Sequence, residues 1–297
     1  MIELISALVS ALSICGGNQM DKQDLYSIGE VSKICNISKK ALRFYDKLGI
    51  ICPDKISEEN NYRFYSRETL LSVPVVKYFK QMGFKLEEMK EFLDGNTYEA
   101  HERGFRMKID ELKRLEEEIH MSYTSVKDWY DLILEAESVI KNNVTEVSIK
   151  YMDSVTTCFL EQEFRHNYKE SIINIEWTNY LEENGQAITG PVILWFENYA
   201  EKISGKNTKA RILQKMITNY GNLPVMTLGN DMMAACYHIG SHETINKTYE
   251  KIFEWAELHG YICSDESVER YVTDYWTIRN TEEFVTEVLI KVERKDK

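Results

Sequence analysis

The chain has 297 residues, 43% of them hydrophobic, and a formal net charge of −12. This length suits about two domains with separate cores, and no stretch reaches the ~18 consecutive apolar residues of a membrane span, which argues against an integral membrane protein. The cysteines, at positions 15, 35, 52, 158, 236 and 263, form no Cys-x-x-Cys pair. We therefore expect free thiols in the cytoplasm, and no metal or other cofactor.

The first segment, MIELISALVSALSICGG, has an apolar run of signal-peptide length. It lacks basic residues before that run and an A-x-A-like cleavage site after it. Met20 then opens MDKQDLYSIGEV. Residues 1–22 are therefore predicted to be a tail or the product of an upstream start.

Charge is distributed unevenly along the chain. Residues 33–85 contain eleven Lys or Arg and five Asp or Glu, a net charge of +6, which leaves −18 for all other residues. A basic segment of this kind suits a polyanion such as nucleic acid, whereas the acidic remainder repels one. The two parts of the chain are therefore expected to have different partners.

Two short helices are predicted within residues 26–50. Ile28, Val31 and Ile34 have helical spacing, Ser38 is a candidate N-cap, and KKALRFYDKL follows with a second helical pattern. Two such helices around a short turn form a helix-turn-helix. We expect the N-terminus of the second helix to meet DNA phosphates or to enter the major groove.

A β-hairpin, or wing, is predicted around a second Arg-Phe-Tyr tripeptide at residues 63–65. The polar stretch KISEENN separates apolar IIC from the alternating YRFYS. Helix and wing together would hold the DNA backbone. The predicted DNA contacts are Ser27, Ser38, Lys39, Lys40, Arg43, Tyr45, Tyr62, Arg63 and Tyr65. Phe44 and Phe64 are predicted to pack the small core; the alternative is that all these aromatic side chains pack there.

The segments YSIGEVSK, KALRFYDKLGII, NYRFYS and LEEMKEFL, in this order, resemble the winged-helix DNA-binding domain of the MerR family. The resemblance covers about residues 25–93, and we place the domain at residues 23–95. It implies a transcription regulator that binds double-stranded promoter DNA together with RNA polymerase. Metal sensing, common among MerR-like proteins, is disfavoured because no cysteine lies near residues 94–102.

Residues 96–142 are predicted to form one long helix in which only Gly104 is unfavourable. Apolar residues recur at strict seven-residue spacing, which is typical of a coiled coil. They are Leu112, Ile119, Val126, Ile133 and Ile140. The alternative is a helix that packs on its own domain. The MerR resemblance implies an antiparallel homodimer through this helix and a palindromic operator.

Residues 143–297 are predicted to mix short strands with helices, one of them over residues 168–184. TTCF at Thr156 corresponds to AACY at Ala234, and Trp177 corresponds to Trp255, both at an interval of 78 residues. This spacing indicates a duplicated strand-helix-strand unit. The predicted fold class is therefore α+β and multidomain: a winged helix-turn-helix, a long dimerisation helix and a duplicated ligand-binding domain.

A ligand pocket is expected where the two repeats meet. Alternation along VERYVTDYW places every second residue, namely Glu269, Tyr271, Thr273 and Tyr275, on one face of a strand. The candidate ligand contacts are Glu269, Tyr271, Tyr275, Phe284, Glu287, Trp195 and Tyr199. A carboxylate among aromatic rings suits a lipophilic cation. The alternatives are core packing for the aromatic residues and a solvated face for the carboxylates.

The segment from about Thr145 to Val292 resembles the GyrI-like small-molecule-binding domain. Glu269 stands where multidrug-sensing relatives have a buried glutamate that contacts the drug, and Phe284 stands where a tyrosine is expected. Glu287, in TEVLIKV, matches a glutamate common in the last strand of such domains. The resemblance implies a small-molecule effector of the lipophilic, cationic type.

The leading functional prediction is a transcription regulator, an activator by family resemblance. Effector binding would make the dimer kink and untwist a promoter whose polymerase elements are spaced too far apart. The alternative is a hydrolase in which Glu269 or Glu287 beside Tyr271 activates water. A passive drug-binding protein is the third possibility. The leading prediction assigns no catalytic residue.

Overall fold

The computed structural model describes residues 25–94, 97–206, 208–217 and 222–295. The chain separates into two compact units, whose border lies between Leu115 and Glu116. We call them the N-terminal unit and the C-terminal unit. The predicted tail, residues 1–22, lies outside the described residues, and the predicted domain boundaries stay predictions.

The N-terminal unit is a winged helix-turn-helix. Its elements are β1 (Tyr26–Ser27), α1 (Ile28–Ile34), α2 (Lys39–Leu48), β2 (Lys55–Ile56), β3 (Arg63–Tyr65), α3 (Arg67–Gln81) and α4 (Leu86–Asp94). Local signals begin the first two helices, because the side chains of Ser27 and Ser38 accept hydrogen bonds from backbone N–H groups of α1 and α2. The strands form an antiparallel sheet in the order β1-β3-β2. The predicted helix-turn-helix and wing are confirmed.

A single helix, α5 (Tyr98–Asn142), runs for 45 residues across the border between the units. Gly104 lies inside this helix and does not interrupt it. A Cβ atom at this position would lie 2.1 Å from Cζ of Phe92 in α4. The glycine is therefore explained by the close approach of a ring from a neighbouring helix.

Helix α5 presents more than one apolar face. Leu132, Ala136 and Val139 are buried against Val272 and Val285 of the C-terminal unit. The residues at heptad spacing lie on a different face and are exposed or half-exposed in the single chain: Leu112, Ile119, Val126, Ile133 and Ile140. The buried face fits a helix that packs on its own domain, and the coiled coil through the heptad face stays a prediction.

Among the described residues of the C-terminal unit, eight strands form one antiparallel sheet. They are β4 (Ser148–Met152), β5 (Val155–Phe164), β6 (Val192–Phe196), β7 (Thr208–Lys215), β8 (Val225–Leu228), β9 (Asp231–Ile239), β10 (Tyr261–Tyr271) and β11 (Val285–Arg294). The helices are α6 (Tyr168–Ile172), α7 (Ile175–Glu183), α8 (Tyr199–Ile203) and α9 (Asn246–Leu258). The helix predicted over residues 168–184 is thus divided in two. Asn174 starts the second part, because its side chain accepts a hydrogen bond from the Trp177 N–H at 2.7 Å.

The strand order, β4-β9-β11-β10-β6-β7-β5-β8, records the duplication. Exchanging β4 with β8, β5 with β9, β6 with β10 and β7 with β11 turns this order into its own reverse. Cys158 in β5 and Cys236 in β9 occupy matching buried positions. The predicted duplication is confirmed, and β4 and β8 each pair with a strand of the other half.

The two faces of this sheet carry different side chains. Directly opposed residues of antiparallel strands point to the same side. Leu194 opposes Glu269 on one side, which we call face A, and Arg270 opposes Glu287 on the other, which we call face B. The larger hydrophobic cluster covers face A and includes residues of α6, α7 and α9. Part of face B packs against helix α5.

Candidate functional site

Part of the predicted DNA-contacting set comes together in the N-terminal unit. A cleft of about 380 Å³ lies between α2 and the wing, with Lys39, Arg43, Tyr62 and Arg63 in its lining. Arg63 is also tied to α2, because its Nε lies 2.7 Å from Oδ2 of Asp46. Helix and wing therefore present one surface, which we call the basic cleft.

The aromatic residues of the two Arg-Phe-Tyr tripeptides are placed differently from the prediction. Tyr45 and Tyr65 are 7% and 0% exposed, whereas Phe44 is 49% exposed. The prediction that these tyrosines contact DNA while Phe44 packs the core is therefore wrong. Tyr45 follows buried Leu42 by three residues on the same side of α2, so the helical period decides which ring is buried. Burial also raises the pKa of the Tyr65 hydroxyl.

The remaining predicted DNA contacts lie at helix starts. Ser27 and Ser38 are the N-caps of α1 and α2. Lys40 is exposed in the first turn of α2. A capped N-terminus flanked by exposed lysines is suited to a phosphate, because the helix dipole and the ammonium groups both favour negative charge.

A buried carboxylate lies on face A of the C-terminal unit. Glu269 in β10 is 0% exposed. The Lys202 ammonium of α8 donates to its Oε1 at 2.5 Å, and the Tyr249 hydroxyl of α9 donates to the same oxygen at 2.8 Å. The Tyr271 hydroxyl donates to Oε2 at 2.5 Å. The first half of the duplication thus supplies the cation and the second half the anion of one buried ion pair.

The protonation states of this pair follow from its surroundings. Burial alone would raise the pKa of the Glu269 carboxyl, but the Lys202 ammonium and the donated hydrogen bonds hold that pKa below its ordinary value. Burial lowers the pKa of Lys202, and Glu269 opposes this shift. Burial raises the pKa of the hydroxyls of Tyr249 and Tyr271, so both remain donors. We take the pair as ionised because each charge compensates the other.

Aromatic rings surround the Lys202 ammonium. Its Nζ lies 4.4 Å from the ring centroid of Tyr249 and 5.6 Å from those of Tyr168 and Phe196. Ring faces attract a cation through their quadrupole, and the attraction is stronger where water is excluded. We call Glu269, Lys202 and the rings around them the face A site. It combines a carboxylate with rings that stabilise positive charge.

His242 extends this site on the side of Tyr271. Its imidazole stacks on Phe284 with 5.0 Å between ring centroids, and Tyr271 and Tyr275 meet it edge-on at 5.0 and 5.4 Å. Within the described residues, neither ring nitrogen has a hydrogen-bond partner. Burial lowers the pKa of His242 to about 4, so the ring is neutral at neutral pH.

Comparison with protein families matches both units. Residues 26–96 match the MerR HTH family regulatory protein, and residues 145–293 match the GyrI-like small molecule binding domain. The chain belongs to the MerR-type regulators with a GyrI-like domain. It is therefore a DNA-binding transcription regulator with a small-molecule-binding domain.

Individual relatives span most or part of this regulator. The multidrug-efflux transporter 2 regulator of Bacillus subtilis (strain 168) is 24% identical over 290 residues, covering 92% of this chain and 98% of that protein. The multidrug-efflux transporter 1 regulator of the same organism is 40% identical over 106 residues, covering 34% and 38%. A cryo-EM structure of the EcmrR–DNA complex matches with a TM-score of 0.45 and 21% identity, covering 91% of this chain and 100% of that one.

Not all predicted ligand contacts of the regulator lie in the face A site. Glu287 and Trp195 lie on face B, where Glu287 Oε2 lies 2.8 Å from Nε of Arg270. The prediction that they line one pocket with Glu269 is wrong. The cause is register, because Glu287 opposes Arg270, the neighbour of Glu269, and neighbouring residues of a strand point to opposite faces.

Other predicted contacts lie beside the ion pair rather than on its strand. Strand β10 ends at Tyr271, so Thr273 and Tyr275 follow the strand instead of continuing its alternation. Tyr275 still reaches the site through His242. Tyr199 of α8 stacks on Phe253 of α9 at 4.4 Å between centroids, at the edge of the same cluster.

Four residues of the face A site were not predicted: Lys202, Tyr249, Tyr168 and His242. Each lies outside strands β6, β10 and β11, which carry most of the predicted contacts. A usable signal existed for Lys202, because it follows Tyr199 by three residues and so shares one side of a short helix with it. Among the described residues, no three His, Cys, Asp or Glu side chains are placed to hold a metal ion. The same residues include no helix long and apolar enough to cross a bilayer.

Proposed function

We propose that the chain controls a promoter in response to a lipophilic cation that binds at Glu269. The supporting observation is a fully buried carboxylate in an aromatic shell, inside a GyrI-like domain. A carboxylate without water around it attracts a cation strongly, and the rings replace the water that the cation loses. The names of the two Bacillus relatives, both regulators of multidrug-efflux transporters, agree with such a ligand.

On the DNA side, the basic cleft would contact phosphates on both edges of the groove that α2 enters. The exposed heptad face of α5 would pair two chains, so that two winged domains contact one palindromic operator. The bound promoter would also contact RNA polymerase. Effector binding would favour the dimer state that distorts the promoter, which activates transcription from over-spaced elements. A regulator of this kind works in the cytoplasm.

The hydrolase alternative is less well supported by the site. A general base for water needs a carboxyl whose pKa is raised toward neutrality and which has access to water. Glu269 has the opposite properties, because its pKa is held low and its oxygens accept hydrogen bonds from Lys202, Tyr249 and Tyr271. Glu287, which binds Arg270 and Lys150, is similarly engaged.

The effector proposal is tested with tetraphenylphosphonium as the probe cation. We expect it to raise the melting temperature of the full chain and the Glu269→Gln variant to lose this effect, because the amide carries no charge. Glu287→Gln is the matched control, since that carboxylate lies on face B. An undiminished shift in Glu269→Gln would show that the cation binds elsewhere.

The dimer proposal is tested at Ile119, which is 68% exposed. Replacing it with glutamate places a charge on the heptad face without disturbing the buried face of α5. We expect the sedimentation coefficient at micromolar concentration to fall from that of a dimer to that of a monomer. A monomeric wild-type chain, or a dimer unaffected by the substitution, would reject this interface.

A further inference from the structure

The cation position of the face A site already holds a positive charge, that of the chain itself. Lys202 is 1% exposed, and its ammonium lies between the Glu269 carboxylate and the rings of Tyr168, Phe196 and Tyr249. An ammonium among aromatic rings and one carboxylate is the arrangement by which proteins recognise quaternary ammonium ligands. We infer that Lys202 is a built-in competitor, which an effector cation displaces from Glu269 when it binds.

The hydrogen bonds at Glu269 explain why both cations cannot be accommodated together. Oε1 accepts from Lys202 and Tyr249, and Oε2 accepts from Tyr271. The carboxylate, Tyr249 and Tyr271 are all 0% exposed. A second cation beside Lys202 would therefore meet an unfavourable like charge in a medium with little screening. A neutral ligand cannot replace the ammonium as the counterion of Glu269. The lysine therefore also makes the site selective for cations.

The element that carries Lys202 is small. Helix α8 has five residues, its N-cap is the Asn198 side chain, and Gly205 follows with a φ of +75°. Glu201 of α8 also lines an open cleft of about 820 Å³, together with Glu197 and Asp265. These carboxylates offer a displaced ammonium a solvated, oppositely charged position. Movement of one short helix or of the lysine side chain would complete the exchange.

The inference rests on the proposed function, because it names the step by which that ligand enters its site. It predicts that wild-type affinity for a lipophilic cation is reduced by the cost of removing Lys202. The displaced lysine also gives the protein a local change in α8 that only a cationic ligand produces. The regulator would thus respond to cations without being triggered by neutral aromatic compounds.

The first test compares tetraphenylphosphonium binding to the full-length wild type, Lys202→Met and Lys169→Met by isothermal titration calorimetry. Met keeps much of the lysine stem without its charge, and Lys169 is an exposed lysine of α6. We expect at least tenfold tighter binding for Lys202→Met, no change for Lys169→Met, and loss of the gain in Lys202→Met/Glu269→Gln. Equal or weaker binding by Lys202→Met would overturn the inference. If Glu269→Gln then still weakens wild-type binding, the proposed function stands; if no protein binds the cation, both proposals fail.

The second test uses the wild-type chain and does not depend on the folding of a variant. Acetic anhydride labels accessible amines, and mass spectrometry measures the labelling rate of each lysine. We expect Lys202 to be labelled slowly in the free protein and several-fold faster at saturating tetraphenylphosphonium, with Lys169 unchanged. A rate for Lys202 that stays the same or falls would show that the lysine remains in place.

Discussion

The two units of the regulator use charged side chains in opposite ways. In the N-terminal unit, Lys39, Lys40 and Arg43 are exposed near the start of α2. In the C-terminal unit, Lys202 and Glu269 are enclosed and paired with each other. Exposed charges keep their water and contribute to binding a partner, whereas buried charges must be compensated within the fold. Loss of a charge should therefore weaken DNA binding in one unit and stability in the other.

The largest effect is expected from Lys202→Met. This change leaves the Glu269 carboxylate buried without a counterion, which costs about 3–5 kcal/mol of unfolding free energy. Lys150→Met is the control on face B, where Lys150 is 41% exposed and Glu287 keeps its bond to Arg270. We expect that change to cost about 1 kcal/mol or less.

Urea denaturation followed by tryptophan fluorescence provides the measurement. All five tryptophans of the chain lie in the C-terminal unit, so the signal reports the unfolding of that unit. Similar losses of unfolding free energy in the two lysine variants would show that burial does not make the Lys202–Glu269 pair more important for stability than the Lys150–Glu287 pair. Restoration of stability in Lys202→Met/Glu269→Gln would locate the cost at the uncompensated carboxylate.

The next effect concerns pH and His242. Its pKa is about 4 in the folded chain against an ordinary 6.5, so below pH 6.5 the unfolded state binds the proton more readily. The neutral ring therefore stabilises the fold above pH 6.5, and this contribution is lost as the pH falls toward 4. The difference between these two pKa values corresponds to about 3 kcal/mol of unfolding free energy.

His242→Phe removes this titration while keeping a ring beside Phe284. We expect the stability of the wild type to fall more steeply than that of the variant between pH 6.5 and 4. Asp274, whose pKa burial raises to about 6, acts in the opposite direction but is present in both proteins. Parallel stability curves would show that His242 is not held neutral by burial.

The smallest effect is expected in the N-terminal unit. Arg43→Ala removes an exposed charge of the basic cleft. We expect weaker binding to duplex DNA of the regulated promoter, with the slope of log affinity against log salt reduced by about 1. Arg165→Ala, an exposed arginine of the C-terminal unit, is the control. An unchanged slope for Arg43→Ala, measured by fluorescence anisotropy, would remove Arg43 from the DNA contacts.

Much of the fold was predictable because it depends on patterns within short segments. The caps at Ser27 and Ser38, the heptads of α5 and the interval of 78 residues between repeats are all visible in the sequence. The candidate site was predicted only in part. Glu269 and Tyr271 lie on the same side of β10, as alternation predicts, whereas Phe284 lies just before β11. Glu287 lies on face B, because the register between two strands cannot be read from either strand alone.

The sequence by itself determined the kind of protein, through a winged DNA-binding segment, a long helix and a duplicated domain. Tertiary structure alone decided that Lys202 meets Glu269 across 67 residues of chain. It also decided that Tyr45 and Tyr65 face the core. Periodicity reports which residues share a side of one element, whereas the docking of α8 on the sheet depends on how separate elements pack.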